Sequence, residues 1–259
     1  MIHYFNEFKH VFGDYGIIGL CYLAKTMLPN NENYWQNPIL YVTGVKASGK
    51  TEFVKSILHL YENRECKFAN FKNVKYESFR ACLGEPNTYT KILHIDDINK
   101  PLATEWKEII KSAYDPFYWK HLIISGGQDL SNDVSLYSRT IHIELDNLFL
   151  YEHDNYAARE ALKAFLYIRK NAEVGFFKFR PNNLHFLRST VKAETIINGL
   201  YPDAEGRLKS NYASLLAGYL YYADIMPFTE SEAVYALTSN LSKQQIILSN
   251  EKEDNQEAE

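Results

Sequence analysis

The chain has 259 residues, of which 46% are hydrophobic, enough to bury one sizeable core with a smaller unit appended. Its longest apolar stretch, residues 16–24, is far shorter than the roughly 20 residues that cross a bilayer, and three cysteines without a C-x-x-C pair predict reduced thiols in the cytoplasm. The formal net charge of −4 lies wholly in residues 251–259, which hold five acids and one base. The balanced remainder lacks the basic footprint of sequence-independent nucleic-acid binding.

Residues 1–36 are predicted to be a helical segment. Apolar and aromatic residues recur with helical spacing from Tyr4 to Phe12 and again from Ile17 to Leu23. The sequence Gly13-Asp14-Tyr15-Gly16 separates the two runs. The pattern therefore predicts two helices that pack beside a sheet.

The motif around which the chain is organised follows at residues 39–51. The apolar run 39–43 has the character of a buried strand, and Phe53, Ile57 and Leu60 recur at helical spacing. Between them, residues 44–51 fit the phosphate-binding loop G-x-x-x-x-G-K-[ST]. A chance match in an unrelated loop is the alternative, and the order of strand, loop and helix argues against it.

This loop predicts binding of ATP with Mg²⁺. Glycines let backbone N–H groups surround a polyphosphate at a helix N-terminus, Lys50 reaches the β- and γ-phosphates, and the Thr51 hydroxyl binds the metal ion. The residues predicted to bind the nucleotide are Gly44, Val45, Lys46, Ala47, Ser48, Gly49, Lys50, Thr51 and Glu52.

Two carboxylates follow the next clear strand. Residues 66–71 and 76–83 are predicted to be a strand and a short helix, and residues 91–98 form an apolar strand that ends in Asp96 and Asp97. Downstream of a phosphate loop, Asp96 is expected to hold Mg²⁺, directly or through water. Asp97 is expected to orient or deprotonate the attacking water. An Asp-Asp turn without function is the alternative.

A further strand is predicted to bring polar groups to the same place. After a helix at residues 102–113, the strand 121–125 leads into Gly126-Gly127-Gln128. Ligands of open α/β sheets sit at the carboxyl ends of the strands, so Ser125 and Gln128 are candidates to contact the γ-phosphate or the water. A simple turn is the alternative.

Arg139 lies where a short helix is predicted to meet the strand 140–145. The order of phosphate loop, Asp-Asp strand, polar strand end and Leu136-Tyr137-Ser138-Arg139 resembles the AAA+ ATPases and the superfamily 3 helicases. The resemblance implies that Arg139 is an arginine finger, which completes the site of a neighbouring subunit. A surface salt bridge is the alternative.

The chain also resembles, over roughly residues 10–250, the helicase part of primase-helicase proteins of phages and mobile elements. The segments that carry this likeness are residues 12–16, 37–44, 124–128, 136–139 and 207–212. It implies a homo-oligomeric ring, expected to have six copies, which acts on single-stranded DNA or a replication fork with a primase or replisome protein.

The chain departs from this pattern in two ways. It has no recognisable primase or zinc-ribbon segment. Where superfamily 3 helicases insert a DNA-contacting hairpin, only residues 113–120 are present, and their aromatics beside Lys120 are candidates for base stacking or for core packing.

The C-terminal part changes to helical patterns, at residues 156–169, 184–200, 207–222 and 230–248. The predicted organisation is α/β, a P-loop NTPase core with a parallel sheet at 37–150, a helical lid domain at 151–250 and an acidic disordered tail at 251–259. In the lid, Arg188 and Arg207 are either nucleotide contacts or ordinary surface charges.

Taken together, these patterns predict an ATP-dependent DNA helicase of a phage or mobile element. The alternatives are an AAA+ ATPase that loads or remodels a protein partner, and a nucleotide-gated regulatory module with little turnover.

Overall fold

The computed structural model describes residues 2–28, 36–59, 66–84, 92–115, 121–145, 156–171 and 182–257. The strands are β1 (Ile39–Thr43), β2 (Cys66–Asn70), β3 (Ile92–Ile98), β4 (His121–Gly126) and β5 (Thr140–Glu144). The helices are α1 (Ile2–Thr26), α2 (Lys50–His59), α3 (Tyr76–Gly84), α4 (Thr104–Ser112), α5 (Val134–Tyr137), α6 (Tyr156–Asn171), α7 (Asn183–Leu200), α8 (Gly206–Tyr221) and α9 (Glu230–Glu257).

The five strands form one sheet in the order β2-β3-β4-β1-β5, and every neighbouring pair is parallel. Strand β1 is buried along its whole length, as is β4, because a parallel sheet is covered by helices on both faces. The predicted α/β fold, with a parallel sheet and C-terminal helices, is confirmed. Since the strands are parallel, all their carboxyl ends meet at one edge.

The N-terminal helix α1 packs on α2 through aromatic rings. Gly13 interrupts α1 with φ 56°, which accounts for the two helical runs in the sequence. Phe8 and Phe12 lie with ring centroids 5.6 and 5.0 Å from that of Phe53 in α2. A Cβ atom at Gly19 would come within 2.9 Å of the Phe53 ring, so glycine permits this close packing.

The C-terminal helices pack around α1 and cover β5, an outer strand of the sheet. Helix α8 contacts α1, α7 and α9. On the side of β5 that has no neighbouring strand, Asn240 Nδ2 donates to the His142 carbonyl at 2.8 Å and Gln244 Nε2 donates to the Thr140 carbonyl at 3.0 Å. The His142 N–H donates in turn to Gln244 Oε1 at 3.3 Å. Side chains of α9 therefore satisfy backbone groups that an edge strand would leave unpaired.

Residues 251–257 are helical, which differs from the prediction of a disordered tail at 251–259. Helix α9 continues to Glu257, and Ser131 Oγ donates to Glu251 Oε1 at 3.2 Å. No glycine or proline interrupts residues 249–257, and Glu, Lys and Gln are good helix formers, so local propensity outweighs the repulsion between the acids. Separately, within the described ranges no helix is both long and apolar enough to cross a membrane.

A buried lysine at the end of α1 should make the folding stability of the chain depend on pH. Lys25 is 5% exposed and donates to Asn37 Oδ1 at 2.8 Å. Burial lowers the pKa of Lys25 from 10.5 to about 7. Between these values the unfolded chain binds more protons than the folded one, so the contribution of Lys25 to folding stability rises with pH across that window.

We expect the stability difference between wild type and Lys25→Met to change in favour of wild type, by up to about 1.4 kcal/mol per pH unit, from pH 7.5 to 9.5. Urea unfolding at several pH values measures it. The exposed Lys163→Met serves as the control, and parallel pH profiles for wild type and Lys25→Met would refute the assignment.

Candidate functional site

The phosphate loop has the backbone shape of an anion-binding nest. Gly44, Ala47 and Gly49 have φ values of 140°, 67° and 91°. A Cβ atom at Gly44 would lie 2.6 Å from Ser48 Oγ and 2.7 Å from the Leu145 carbonyl oxygen, so only glycine fits there. Positive φ values of this kind turn successive backbone N–H groups toward a common centre. The loop is therefore shaped for a phosphate group.

Lys50, the first residue of α2, lies across this loop. Its Nζ donates to the carbonyl oxygens of Gly44 at 2.7 Å and Val45 at 2.8 Å, and lies 3.4 Å from Ser48 Oγ. These neutral oxygens are weaker partners for an ammonium group than a phosphate oxygen is. A phosphate that enters the loop can therefore replace these oxygens as the partner of the Lys50 ammonium group.

Asp96 joins three elements of the site. Thr51 Oγ1 in α2 donates to Asp96 Oδ2 at 3.0 Å, and Ser125 Oγ in β4 donates to Asp96 Oδ1 at 2.6 Å. Hydroxyl and carboxylate oxygens are the ligands that Mg²⁺ prefers in proteins. The predicted metal ligands Thr51 and Asp96 are thus adjacent, and their chemistry fits the ion.

His94 extends this chain, and the sequence analysis did not single it out. Its Nε2 lies 2.8 Å from Ser125 Oγ. Because the single Ser125 proton goes to Asp96, His94 Nε2 carries the proton that Ser125 accepts. Burial lowers the pKa of His94 to about 4, so the ring is neutral at pH 7. The sequence feature that could have indicated this contact is the position of His94 two residues before Asp96, which puts both side chains on the same face of β3.

A bulge in β3 places both carboxylates in one cavity. Ile95 and Ile98 of β3 pair with Ile124 and Gly126 of β4, so three steps along β3 match two along β4. Asp97, inside the bulge, has φ 71°. In a regular strand two adjacent side chains point to opposite faces, whereas Asp96 and Asp97 both line the same cavity.

Asp97 has polar partners that the sequence did not reveal. Asn70 Nδ2 at the end of β2 donates to Asp97 Oδ2 at 3.3 Å, Lys72 Nζ lies 3.5 Å from the same oxygen, and Asn99 also donates to the carboxylate. The hydrogen bond from Asn70, followed by the charge of Lys72, lowers the pKa of Asp97. Asp97 is therefore ionised at neutral pH and able to accept a hydrogen bond from water.

A cavity of about 910 Å³ lies between the phosphate loop and the two aspartates, within the size range of small-molecule ligand sites. Gln128 lines it, with its amide nitrogen donating to the Asp129 carbonyl at 2.7 Å. Ser48 is fully buried beneath the loop. The residues of the predicted site that line the cavity are Gly44, Val45, Lys46, Ala47, Lys50, Thr51, Asp96, Asp97 and Gln128.

Glu52 is a predicted nucleotide contact whose side chain points elsewhere. Its Oε2 lies 2.7 Å from NH2 of Arg169 in α6, and Arg169 NH1 also donates to Ser56 Oγ at 2.9 Å. The carboxylate of Glu52 is thus used to fasten α6 to α2, and it does not line the cavity. Its partner lies 117 positions along the chain, so no local pattern indicated this contact.

Arg139 lies at the opposite edge of the sheet. It directly precedes β5, and its carbonyl accepts from Ile39 N at 3.0 Å at the start of β1. The length of β1, roughly 16 Å for its five residues, separates this edge from the phosphate loop. Arg139 is therefore too far along the sheet to serve the cavity of its own chain.

The two lid arginines considered as nucleotide contacts do not line the cavity either. Arg188 is exposed on α7. Arg207 of α8 donates to Ser138 Oγ at 2.9 Å, next to Arg139.

A parallel sheet with a phosphate loop between β1 and α2, and carboxylates at the end of a nearby strand, defines a P-loop NTPase. Residues 36–153 match a family model described as an AAA domain. The match indicates an AAA-type P-loop NTPase and supports ATPase activity. No curated protein matches the chain. The narrower resemblance to superfamily 3 helicases and primase-helicase proteins stays a prediction.

Gly126 makes the bulge possible. A Cβ atom there would overlap the Ile98 carbonyl group and lie 2.7 Å from the Ile98 nitrogen. We expect Gly126→Ala to reduce the free energy of unfolding by about 3 kcal/mol or more. Gly127→Ala is the adjacent control, since its Cβ would meet only the end of the Asn99 side chain at 3.2 Å, and we expect its cost to stay within about 1 kcal/mol. Equal stability losses in urea unfolding would contradict this account of the bulge.

Proposed function

We propose that the chain hydrolyses ATP and that it does so as an assembly of copies. The observation that carries the first part is the single cavity shared by Lys50, Thr51, Asp96, Asp97 and Gln128. In this proposal Lys50 binds the β- and γ-phosphates. Thr51 and Asp96 would hold Mg²⁺, which neutralises charge on the phosphates when bound.

Asp97 is proposed to act on the attacking water. Its lowered pKa keeps it ionised although it makes the carboxylate a weaker base, and Asn70 and Asn99 fix the carboxylate orientation. A fixed anion can align water by accepting its hydrogen bond and can take a proton as the bond to phosphorus forms. Gln128, from the neighbouring strand end, is proposed to contact the γ-phosphate or the same water.

The proposal for assembly rests on Arg139. Its place at the edge opposite to the phosphate loop excludes a role in its own cavity and suits contact with the nucleotide of a second copy. Repeated head-to-tail interfaces form a closed ring when the rotations between copies add up to a full turn. In such a ring every copy both gives and receives this contact. A ring of six is the assembly that the sequence resemblance implies.

We further propose that this assembly is a DNA helicase or translocase for the replication of a phage or mobile element. Its proposed substrate is single-stranded DNA or a replication fork, and its proposed partner is a primase or another replisome protein. The sequence resemblance supports this, and the aromatic segment considered for base stacking, residues 117–119, lies outside the described residues. The neutral body of the chain favours the alternative, a motor that loads or remodels a protein. Stimulation of ATPase activity by single-stranded DNA, together with strand displacement, supports the first. Absence of both would favour the second.

Asp97→Asn tests the division of roles between the carboxylates. Asparagine tolerates a positive φ and keeps the shape of the side chain, so ATP and Mg²⁺ should still bind. Turnover should fall by about 10² to 10⁴-fold because the base is lost. Lys50→Ala is the control for lost phosphate contacts. If Asp96→Asn and Asp97→Asn have equal effects on both nucleotide affinity and turnover, the assigned roles are wrong.

Arg139→Ala tests action between copies. It should bind ATP nearly normally but hydrolyse it about 10³ to 10⁵-fold more slowly. Mixing it with Lys50→Ala should recover activity, because some interfaces then join an intact phosphate loop to an intact arginine. Co-purification through two tags must first show that the variants assemble together. Mixed assemblies without recovered hydrolysis would rule out the finger between copies.

A further inference from the structure

A second cavity, of about 750 Å³, lies at the edge of the sheet opposite to the phosphate loop. Arg139, which precedes β5, and Arg207, in the first turn of α8, both line it. Tyr114 forms part of the wall, with its ring centroid 5.8 Å from the guanidinium carbon of Arg139. The cavity therefore brings together one arginine from the sheet and one from the C-terminal helices.

Neither guanidinium lies within ion-pair distance of a carboxylate among the described residues, and their hydrogen-bond partners there are hydroxyl and carbonyl oxygens. Arg139 NH1 donates to the Ser135 carbonyl and to Ser135 Oγ at 2.8 Å, and Arg207 NH1 donates to Ser138 Oγ at 2.9 Å. Burial, followed by the charge of Arg207, lowers the pKa of Arg139. Glu108 and Asp133 act on Arg139 as opposite charges at longer range. Two half-buried guanidiniums that lack a direct ion pair among the described residues favour the binding of an anion.

The other charged groups of the cavity leave this balance positive. Its described lining holds Lys111, Arg139 and Arg207 against the two carboxylates Glu108 and Asp115. Glu108 accepts from Lys111 at 3.0 Å, and Lys111 also lies 3.4 Å from Asp133. Lys111 is thus paired with two acids, and the described lining as a whole holds three positive and two negative groups, an excess of one positive charge.

We propose that Arg139 and Arg207 form a two-arginine receptor for the polyphosphate of a nucleotide bound to a second copy of the chain. This inference rests on the proposed function and deepens it, because Arg207 becomes a second group from the neighbouring copy at each site. Guanidinium groups suit the role, since each presents planar, paired donors to phosphate oxygens. Two arginines can contact different oxygens of one polyphosphate, which a single side chain cannot do as well.

The neighbourhood of Ser138 explains how the pair is held. The Ser138 hydroxyl accepts from Arg207, and the Ser138 carbonyl accepts from Asn211 Nδ2 at 3.1 Å. Asn211 Oδ1 in turn accepts from Tyr114 OH at 2.8 Å, beneath Arg139. The backbone next to Arg139 is therefore tied to α8, and the two guanidiniums have a defined relative position.

Arg207→Ala tests the receptor, with the exposed Arg188→Ala as matched control. We expect Arg207→Ala to keep nucleotide affinity and thermal stability near wild type while turnover falls about tenfold to a hundredfold, the effect of losing one charge-assisted hydrogen bond. Arg207→Lys should recover part of the loss. If wild type hydrolyses ATP and Arg207→Ala matches Arg188→Ala, the receptor is refuted although the ATPase stands. Absence of hydrolysis in wild type would refute the proposed function itself.

Mixed assemblies separate a contact between copies from one within a copy. Arg207→Ala mixed with Lys50→Ala should recover activity, as Arg139→Ala does. Arg139→Ala mixed with Arg207→Ala should not, because every donating copy then lacks one arginine of the pair. Recovery in this last mixture would mean that the two arginines serve different sites, and would overturn the receptor. Co-purification through two tags again establishes that the variants share an assembly.

Discussion

The two hydrogen bonds to the carboxylate of Asp96 are the constraint on which the site depends. One comes from Thr51 in α2 and the other from Ser125 in β4, so a single side chain fixes the phosphate-loop helix against two central strands. Buried polar groups without partners are costly, which makes these contacts sensitive to the relative position of the three elements. His94 completes the chain from within β3 and, being neutral, adds no charge that would compete for the carboxylate.

The polarity of the parallel sheet explains why the charged residues fall into two groups. The carboxyl ends of β1, β2, β3 and β4 supply the phosphate loop, Asn70, the two aspartates and Ser125 to one edge. The opposite edge receives the residues that precede the strands, and Arg139 is one of them. The strands therefore separate the phosphate loop from the cavity that Arg139 and Arg207 line. In the proposed function the two edges meet between copies of the chain, since the buried strands separate them within one copy.

The sequence predicted most of the fold because its signals are local. Apolar runs located every strand to within about two residues, and the phosphate loop and Asp-Asp pair identified eight of the twenty described residues that line the cavity. The bulge at Asp97 was not predictable, because it depends on the register between β3 and β4. The contact of Glu52 with Arg169 was missed for a similar reason, since its partner is distant in sequence. The prediction of a disordered tail was wrong for residues 251–257, because it rested on the charge of the segment and not on its helix propensity.

The C-terminal helices contact both edges of the sheet, which makes them more than a cover. Asn240 of α9 binds the His142 carbonyl, and the His142 ring lies 2.6 Å from Thr43 Oγ1, directly before the phosphate loop. Arg207 and Asn211 of α8 bind Ser138, directly before Arg139. Helices α8 and α9 pack on each other and on α1. A displacement of this layer would therefore strain hydrogen bonds beside the nucleotide cavity and beside the arginine pair at once. The nucleotide cavity and the arginine pair lie at opposite ends of the strands, and hydrogen bonds from α8 and α9 reach residues beside both.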